Sequence, residues 1–306
     1  MKTSPLSSFA LLIAAFASPV WATSTLSVGD QRGNARAILE ASGELNNLPY
    51  TLSWHEFANA APLLEAMRAG SIDAGSVGDA PLTFAVAAGL DAKGILATRY
   101  AGNAIIVKKG SPIHSVRELA GKRIATVKGS SGHNLALQAL QKAGVDPKEV
   151  NFVFTTPAEA TLVLDQGGVD AVSTWEPYVS FATHQSGAEI LADGKAYPAL
   201  NYLVASNVAI SSKQSELADF TQRLTRARAW GEQHPEAYAA SIGKLLRIPQ
   251  DVALAKVKRE INTVDSNSQE VLAIQQNTAD FYVKNGLIPK PLKAASFIDL
   301  SLSQGK

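Results

Sequence analysis

Short, β-prone apolar runs alternate along the chain with longer segments in which apolar residues recur every three or four positions. Residues 25–28, 51–54, 74–77 and 94–98 read as strands, and 34–45, 60–69 and 81–88 as the helices between them. This rhythm predicts βαβ units, and so a largely parallel sheet flanked by helices. Helix edges carry their own signals. Asn59 is placed to cap the second helix and Asp79 the third, with Pro81 in a first turn where a missing N–H costs little.

After Ser111 and Pro112 the rhythm restarts. A short helix from Ser115 stops at Gly121; then come strand 123–127, helix 131–143 closed by Gly144, strand 151–154, helix 158–166, strand 170–172, helix 175–186 and strand 189–191. From Lys213 the pattern is helical and amphipathic, through 216–232, 235–246, 250–261 and 268–285. Two α/β series and a helical tail predict an α/β fold of two lobes joined by two crossover segments, near 103–108 and 202–210. The expected lobes are 23–105 with 207–306, and 106–206. Ligands of open α/β sheets sit beyond the carboxyl ends of the strands, which directs attention to the loops after each strand.

Residues 1–22 have the marks of an export signal: Lys2, an apolar run over 9–16, and a small-x-small cleavage pattern at Val20, Trp21 and Ala22. The run falls short of the roughly 20 residues that a membrane span needs, and no cysteine follows it to carry a lipid. The expectation is a soluble protein without a membrane anchor, released into a bacterial periplasm and starting near Thr23. Loss of the leader leaves a neutral chain with Met67 as its only sulfur atom, which suits a protein made when sulfur is scarce. A formal charge of +1 over 306 residues gives no hold on nucleic acid or an acidic bilayer. The absence of cysteine excludes disulfides, thiolate-bound zinc, iron–sulfur clusters and a thiol nucleophile.

Enzyme signatures fail on inspection. The histidines never take the i, i+4 spacing of a helical zinc site, and neither a dinucleotide nor a P-loop glycine pattern occurs, so no metal or cofactor is expected. Gly129-Ser130-Ser131-Gly132 lacks the glycine that a nucleophile elbow needs at the next position, where His133 stands. The same loop suits an anion. It follows a strand and opens a helix, so free N–H groups converge at the positive end of a helix dipole, with the Ser130 and Ser131 hydroxyls and the His133 ring as further donors. Simple capping by one of these serines is the plainer alternative. After the first strand, Gln31 and Asn34 offer uncharged amides, while Arg32 is expected to face solvent. Phe57 is a candidate pocket wall or core residue. Gly78 would let the backbone approach a bound group, and Asp79 offers an anion only its backbone N–H. Trp175 is placed to cover an aliphatic ligand, and Glu176 to cap a helix or receive an amino group.

Taken in order, GDQRGN (29–34), WHEF (54–57), GSIDAGSVGDAP (70–81), KGSSGHN (128–134), WEPY (175–178) and LIPK (287–290) closely resemble the solute-binding proteins of aliphatic sulfonate ABC importers. The resemblance spans nearly the whole mature chain. It implies the type II periplasmic binding-protein fold, with two lobes closing on the ligand, and a membrane permease with its ATPase as partner of a monomeric receptor. Carried onto this sequence, the pocket would comprise Gln31, Asn34, Phe57, Gly78, Asp79, Ser130, Ser131, His133, Trp175 and Glu176. Gly132 stands where serine is common, and Glu176 where aspartate is common.

The physical chemistry agrees. A sulfonate stays ionised at physiological pH and its three oxygens only accept hydrogen bonds, so its receptor needs several donors but no formal charge. Micromolar binding corresponds to about 8 kcal/mol. Three or four charge-assisted hydrogen bonds of about 1.5–3 kcal/mol each supply that together with burial of the aliphatic chain. The alternatives are the same fold holding another small anion, taurine or a pyrimidine precursor, and an enzyme acting on sulfinates, against which the missing cysteine nucleophile counts.

Overall fold

The computed structural model describes residues 24–31, 33–260 and 263–303; the expected export signal and Arg32 lie outside them. The first series gives β1 (Thr25–Gln31), α1 (Arg36–Ala41), β2 (Thr51–Phe57), α2 (Ala60–Arg68), β3 (Ala74–Gly78), α3 (Asp79–Ala87) and β4 (Ala92–Arg99). The second gives β5 (Ala104–Val107), β6 (Arg123–Thr126), α4 (Ser131–Ala143), β7 (Asn151–Phe154), α5 (Pro157–Asp165), β8 (Ala171–Thr174), α6 (Tyr178–Phe181) and β9 (Glu189–Asp193). Then follow β10 (Leu200–Ser206), α7 (Asn207–Ser212), α8 (Gln214–Gln233), α9 (Pro235–Leu246), α10 (Gln250–Arg259) and α11 (Ser268–Lys284). No helix among the described residues is long and apolar enough to cross a membrane.

The strands form two five-stranded sheets of the same design, ordered β2-β1-β3-β10-β4 and β7-β6-β8-β5-β9. In the first, β1 runs parallel to β2 and β3, with Val28 opposite Trp54 and Ala74, and β10 runs antiparallel between β3 and β4. In the second, β6 runs parallel to β7 and β8, and β5 runs antiparallel between β8 and β9.

This corrects the expected crossovers. Residues 104–107 and 200–206 are not connecting segments but the antiparallel strands β5 and β10, and β10 belongs to the first sheet. The chain passes between the sheets over 100–103 and 194–199, so the boundaries expected at 105 and 206 shift toward the amino terminus. The parallel rhythm gives no cue to a strand that returns antiparallel into the neighbouring sheet.

Helices cover both faces of each sheet. Leu26, Val28 and Leu203 of the first sheet pack on one face against Ile38, Phe220, Leu224 and Ile242 from α1, α8 and α9. On the other face Val77, Tyr202 and Val204 pack against Leu63, Leu82 and Val271 from α2, α3 and α11. Ile105 and Ile124 of the second sheet meet Leu135 and Leu140 of α4, while Ile106, Ala125 and Val172 meet Ala160 and Leu164 of α5. Each sheet is therefore a buried platform whose strand ends feed loops into the space between the lobes.

Candidate functional site

A cavity of about 70 Å³ lies between the lobes, lined by loops from both sheets. The first lobe contributes Gln31, Asn34, Ala58 to Ala61, Gly78 and Asn201; the second contributes Lys128 to Ser131 and Trp175 to Pro177; Lys256 of α10 and Glu260 just after it reach in as well.

Two helix N-termini, one from each lobe, meet at this cavity. In α4, Ser130 caps the helix by accepting the His133 amide at 3.1 Å, which leaves its hydroxyl proton free to be donated. The Ser131 and Gly132 amides have no acceptor among the described residues, as befits a helix's first turn. Gly132 holds this geometry. A β-carbon there would stand 2.6 Å from the Ser173 carbonyl oxygen of β8, so serine is excluded at this position unless α4 moves off the sheet. In α2, Asn59 caps by accepting the Ala61 amide at 3.1 Å, and Ala60 faces the cavity with its amide free. Dipoles from both sides thus favour an anion between them.

The wall carries charge, but its carboxylates are neutralised. Glu176, whose side chain is fully buried, gives Oε1 to Arg259 Nε at 2.8 Å and accepts the Ser180 amide on Oε2 at 3.2 Å. Arg259 also donates to Asp193 at 2.9 Å and to the Asn103 carbonyl at 3.4 Å, tying α10 to the end of β9 and to the first crossover. Burial pushes the Glu176 carboxyl up from its ordinary value, with the Ser180 hydrogen bond and Arg259 opposing that rise. Glu260 pairs with the buried Lys256. Burial works against that ammonium, and Glu260 beside it more than compensates, so Lys256 stays charged. Lys128 has no carboxylate within ion-pair distance among the described residues; its ammonium sits 5.7 Å from the Phe154 ring centre.

Seven of the expected site residues line the cavity: Gln31, Asn34, Gly78, Ser130, Ser131, Trp175 and Glu176. Three do not. Phe57, the last residue of the edge strand β2, packs against the first lobe's core and faces a separate hollow beside Leu245 and Leu246, while the next residue, Ala58, lines the cavity. Asp79 is buried inside the first turn of α3, with Gly78 rather than itself as the cap. Its Oδ1 accepts the Ala80 amide at 2.7 Å and its Oδ2 the Leu200 amide at 3.4 Å, and burial pushes its carboxyl up to about 6. His133 turns away from the cavity, its ring edge-on to Phe152 and Phe154 at 5.1 and 5.3 Å. Its Nδ1 accepts the Gly129 amide at 3.2 Å, and burial together with Lys128 drives it down to about 4, so it is neutral and shapes the loop. The Glu176 carboxylate, spent on Arg259 and Ser180, is not free for a ligand amine. Asn59, Lys128, Asn201, Lys256 and Glu260 were missed. The cap signal of Asn59 was legible, and its place beside the cradle was not.

The NMT1-like family model matches residues 34–246. A protein of Escherichia coli strain K12 named for aliphatic sulfonate binding is 36% identical over 87% of this chain and 85% of its own length. The chain belongs to the NMT1-like family. Two solved structures of such proteins superpose closely. The alkanesulfonate-binding protein SsuA from Xanthomonas axonopodis pv. citri, bound to MOPS, gives a TM-score of 0.82 at 28% identity, covering 90% of this chain and 98% of that one. The periplasmic aliphatic sulphonate binding protein SsuA from Escherichia coli gives 0.79 at 32% identity, covering 92% and 99%. Within this NMT1-like chain, the departure at Gly132 has a structural reason in the β8 contact, and the longer Glu176 side chain reaches Arg259.

Proposed function

We propose that the protein captures aliphatic sulfonates between its two lobes in the periplasm and delivers them to the permease of an ABC importer, acting as a monomer and without catalysis. One observation carries the reading: helix N-termini from opposite lobes bring Ser131 and Ala60, whose amides have no acceptor among the described residues, to one cavity whose every lining carboxylate is neutralised. Such a wall favours a group that accepts hydrogen bonds and never donates them. The Ser130 and Ser131 hydroxyls and the Asn34 amide add donors, Gly78 leaves room for close approach, and Trp175 covers the tail. Lobe closure assembles the donors of both sides around the ligand, giving a permease a distinct form to recognise.

Thermal denaturation with a ligand panel tests this. A ligand at a hundred times its dissociation constant adds about 2.7 kcal/mol of stability, and alkanesulfonates are expected to do so. Stabilisation by nitrate or a pyrimidine with none by any alkanesulfonate would overturn the specificity. Release of sulfite from an aryl sulfinate would overturn the absence of catalysis.

A further inference from the structure

Arg228 of α8 lies behind the cleft wall, 4% exposed. Its Nη2 donates to Asn34 Oδ1 at 2.7 Å and to the Asn34 carbonyl at 3.1 Å. Its Nε and Nη1 are buried with no partner among the described residues. Asp30, near the end of β1, spends Oδ1 on the Ala35 amide and leaves Oδ2 without a hydrogen-bond partner; its buried carboxyl is close enough to interact with the guanidinium but makes no hydrogen bond or ion pair with it.

A guanidinium has donors only. The Asn34 amide must therefore turn its oxygen to Arg228, which turns its NH₂ the other way. Asn34 lines the cavity, and this NH₂ has no acceptor among the described residues. Gln31 is arranged differently: its Nε2 donates to the Ser76 carbonyl at 2.7 Å, so one of its amide protons is already spent. We infer that Arg228 is a positioning residue that sets the specificity of the cleft: it fixes Asn34 as a donor and backs it with buried positive charge, selecting head groups that only accept hydrogen bonds. Without it, the amide is free to turn and present its oxygen to the ligand. A buried guanidinium with Nε and Nη1 unsatisfied costs stability, and an anion held one residue away offsets part of that cost. The inference rests on the cleft being the sulfonate site.

The test compares an alkanesulfonate with the sulfonamide of the same tail, whose head group is neutral and carries an NH₂ donor. Calorimetry on Arg228→Met should show sulfonate affinity falling about tenfold while the sulfonamide holds or gains. Arg228→Lys, which keeps charge and a donor, should restore most of the sulfonate affinity. In an Asn34→Ala background, Arg228→Met should change sulfonate binding less than about threefold, because the amide it orients is gone. Equal losses for both ligands, or losses that simply add, would overturn the inference. Should Arg228→Met fail to fold, Asn34→Asp on the partly exposed loop decides. It gives Arg228 a carboxylate and the cleft no donor, so it should bind sulfonate more weakly than Asn34→Ala; equal binding refutes the assignment. A wild type that binds no alkanesulfonate refutes the sulfonate reading itself, whereas wild-type binding with an unmoved sulfonate to sulfonamide ratio in Arg228→Met refutes only the role of Arg228.

Discussion

Replacing Glu176 by glutamine separates two roles for the most deeply buried acid of the cleft. Its carboxylate is held at 2.8 Å from Arg259 Nε and 3.2 Å from the Ser180 amide, so both oxygens are engaged. Glutamine keeps one acceptor but exchanges a charge-assisted hydrogen bond of about 1.5–3 kcal/mol for a neutral one of about 0.5–1.5 kcal/mol. The expected cost is about 1–2 kcal/mol of stability. It stays below the roughly 3–5 kcal/mol of stranding a buried partner, because Arg259 retains Asp193 at 2.9 Å and the Asn103 carbonyl. Urea unfolding of Glu176→Gln, Arg259→Gln and the double variant should show the double costing less than the sum of the singles. Calorimetry with taurine and ethanesulfonate, which match in length, should show the same change for both within about threefold. A loss of tenfold or more for taurine alone would mean that the carboxylate reads the ligand's amine, and the pairing with Arg259 would not be what neutralises it.

Ser130→Ala removes the acceptor of the His133 amide and a hydroxyl donor, so it should cost about 1 kcal/mol of stability and about tenfold in sulfonate affinity; unchanged affinity would leave Ser130 a cap and nothing more. Gly132→Ser drives a β-carbon into the β8 backbone and should destabilise by about 1–3 kcal/mol in urea unfolding; full stability would show that α4 is not seated against β8. His133, driven down to about 4 in the folded protein, makes stability fall as pH drops from about 6.5 through 4, by about 3 kcal/mol from this group. His133→Asn keeps an acceptor for the Gly129 amide, so the variant should gain on the wild type by that amount over the window; a constant difference would contradict the buried neutral ring. Asp79, raised to about 6, acts in the opposite sense: its share of stability is present at low pH and is lost as pH rises from about 4 through 6. Asp79→Asn should therefore lose ground to the wild type as pH falls through that window, read in the same urea series.

Much of the fold was legible because βαβ units mark themselves: 131–143 and 235–246 are the helices α4 and α9 at the residues where caps and apolar periodicity put them. The antiparallel strands were hidden, since the runs at 104–107 and 200–206 have no helix after a parallel strand to frame them. The amide cradle was legible from glycines and hydroxyls placed between a strand and a helix. The outward turn of His133 was not, because it depends on Phe152 and Phe154, two strand residues distant in sequence. For Glu176 the local role, a bond to the first turn of the next helix, was legible and the Ser180 amide fills it; the pairing with Arg259 was not, because that partner stands 83 residues away on a helix of the tail.

The central claim is that backbone amides from both lobes, with Asn34 as a fixed donor, hold the head group of an unaltered sulfonate. A crystal structure of the protein grown with ethanesulfonate tests it most directly. The account predicts sulfonate oxygens about 3 Å from the Ser131 and Ala60 nitrogens and from Asn34 Nδ2, with the carbon–sulfur bond intact and the tail against Trp175. A sulfonate bound at Arg259 or Lys256 with the α4 amides unoccupied would contradict it.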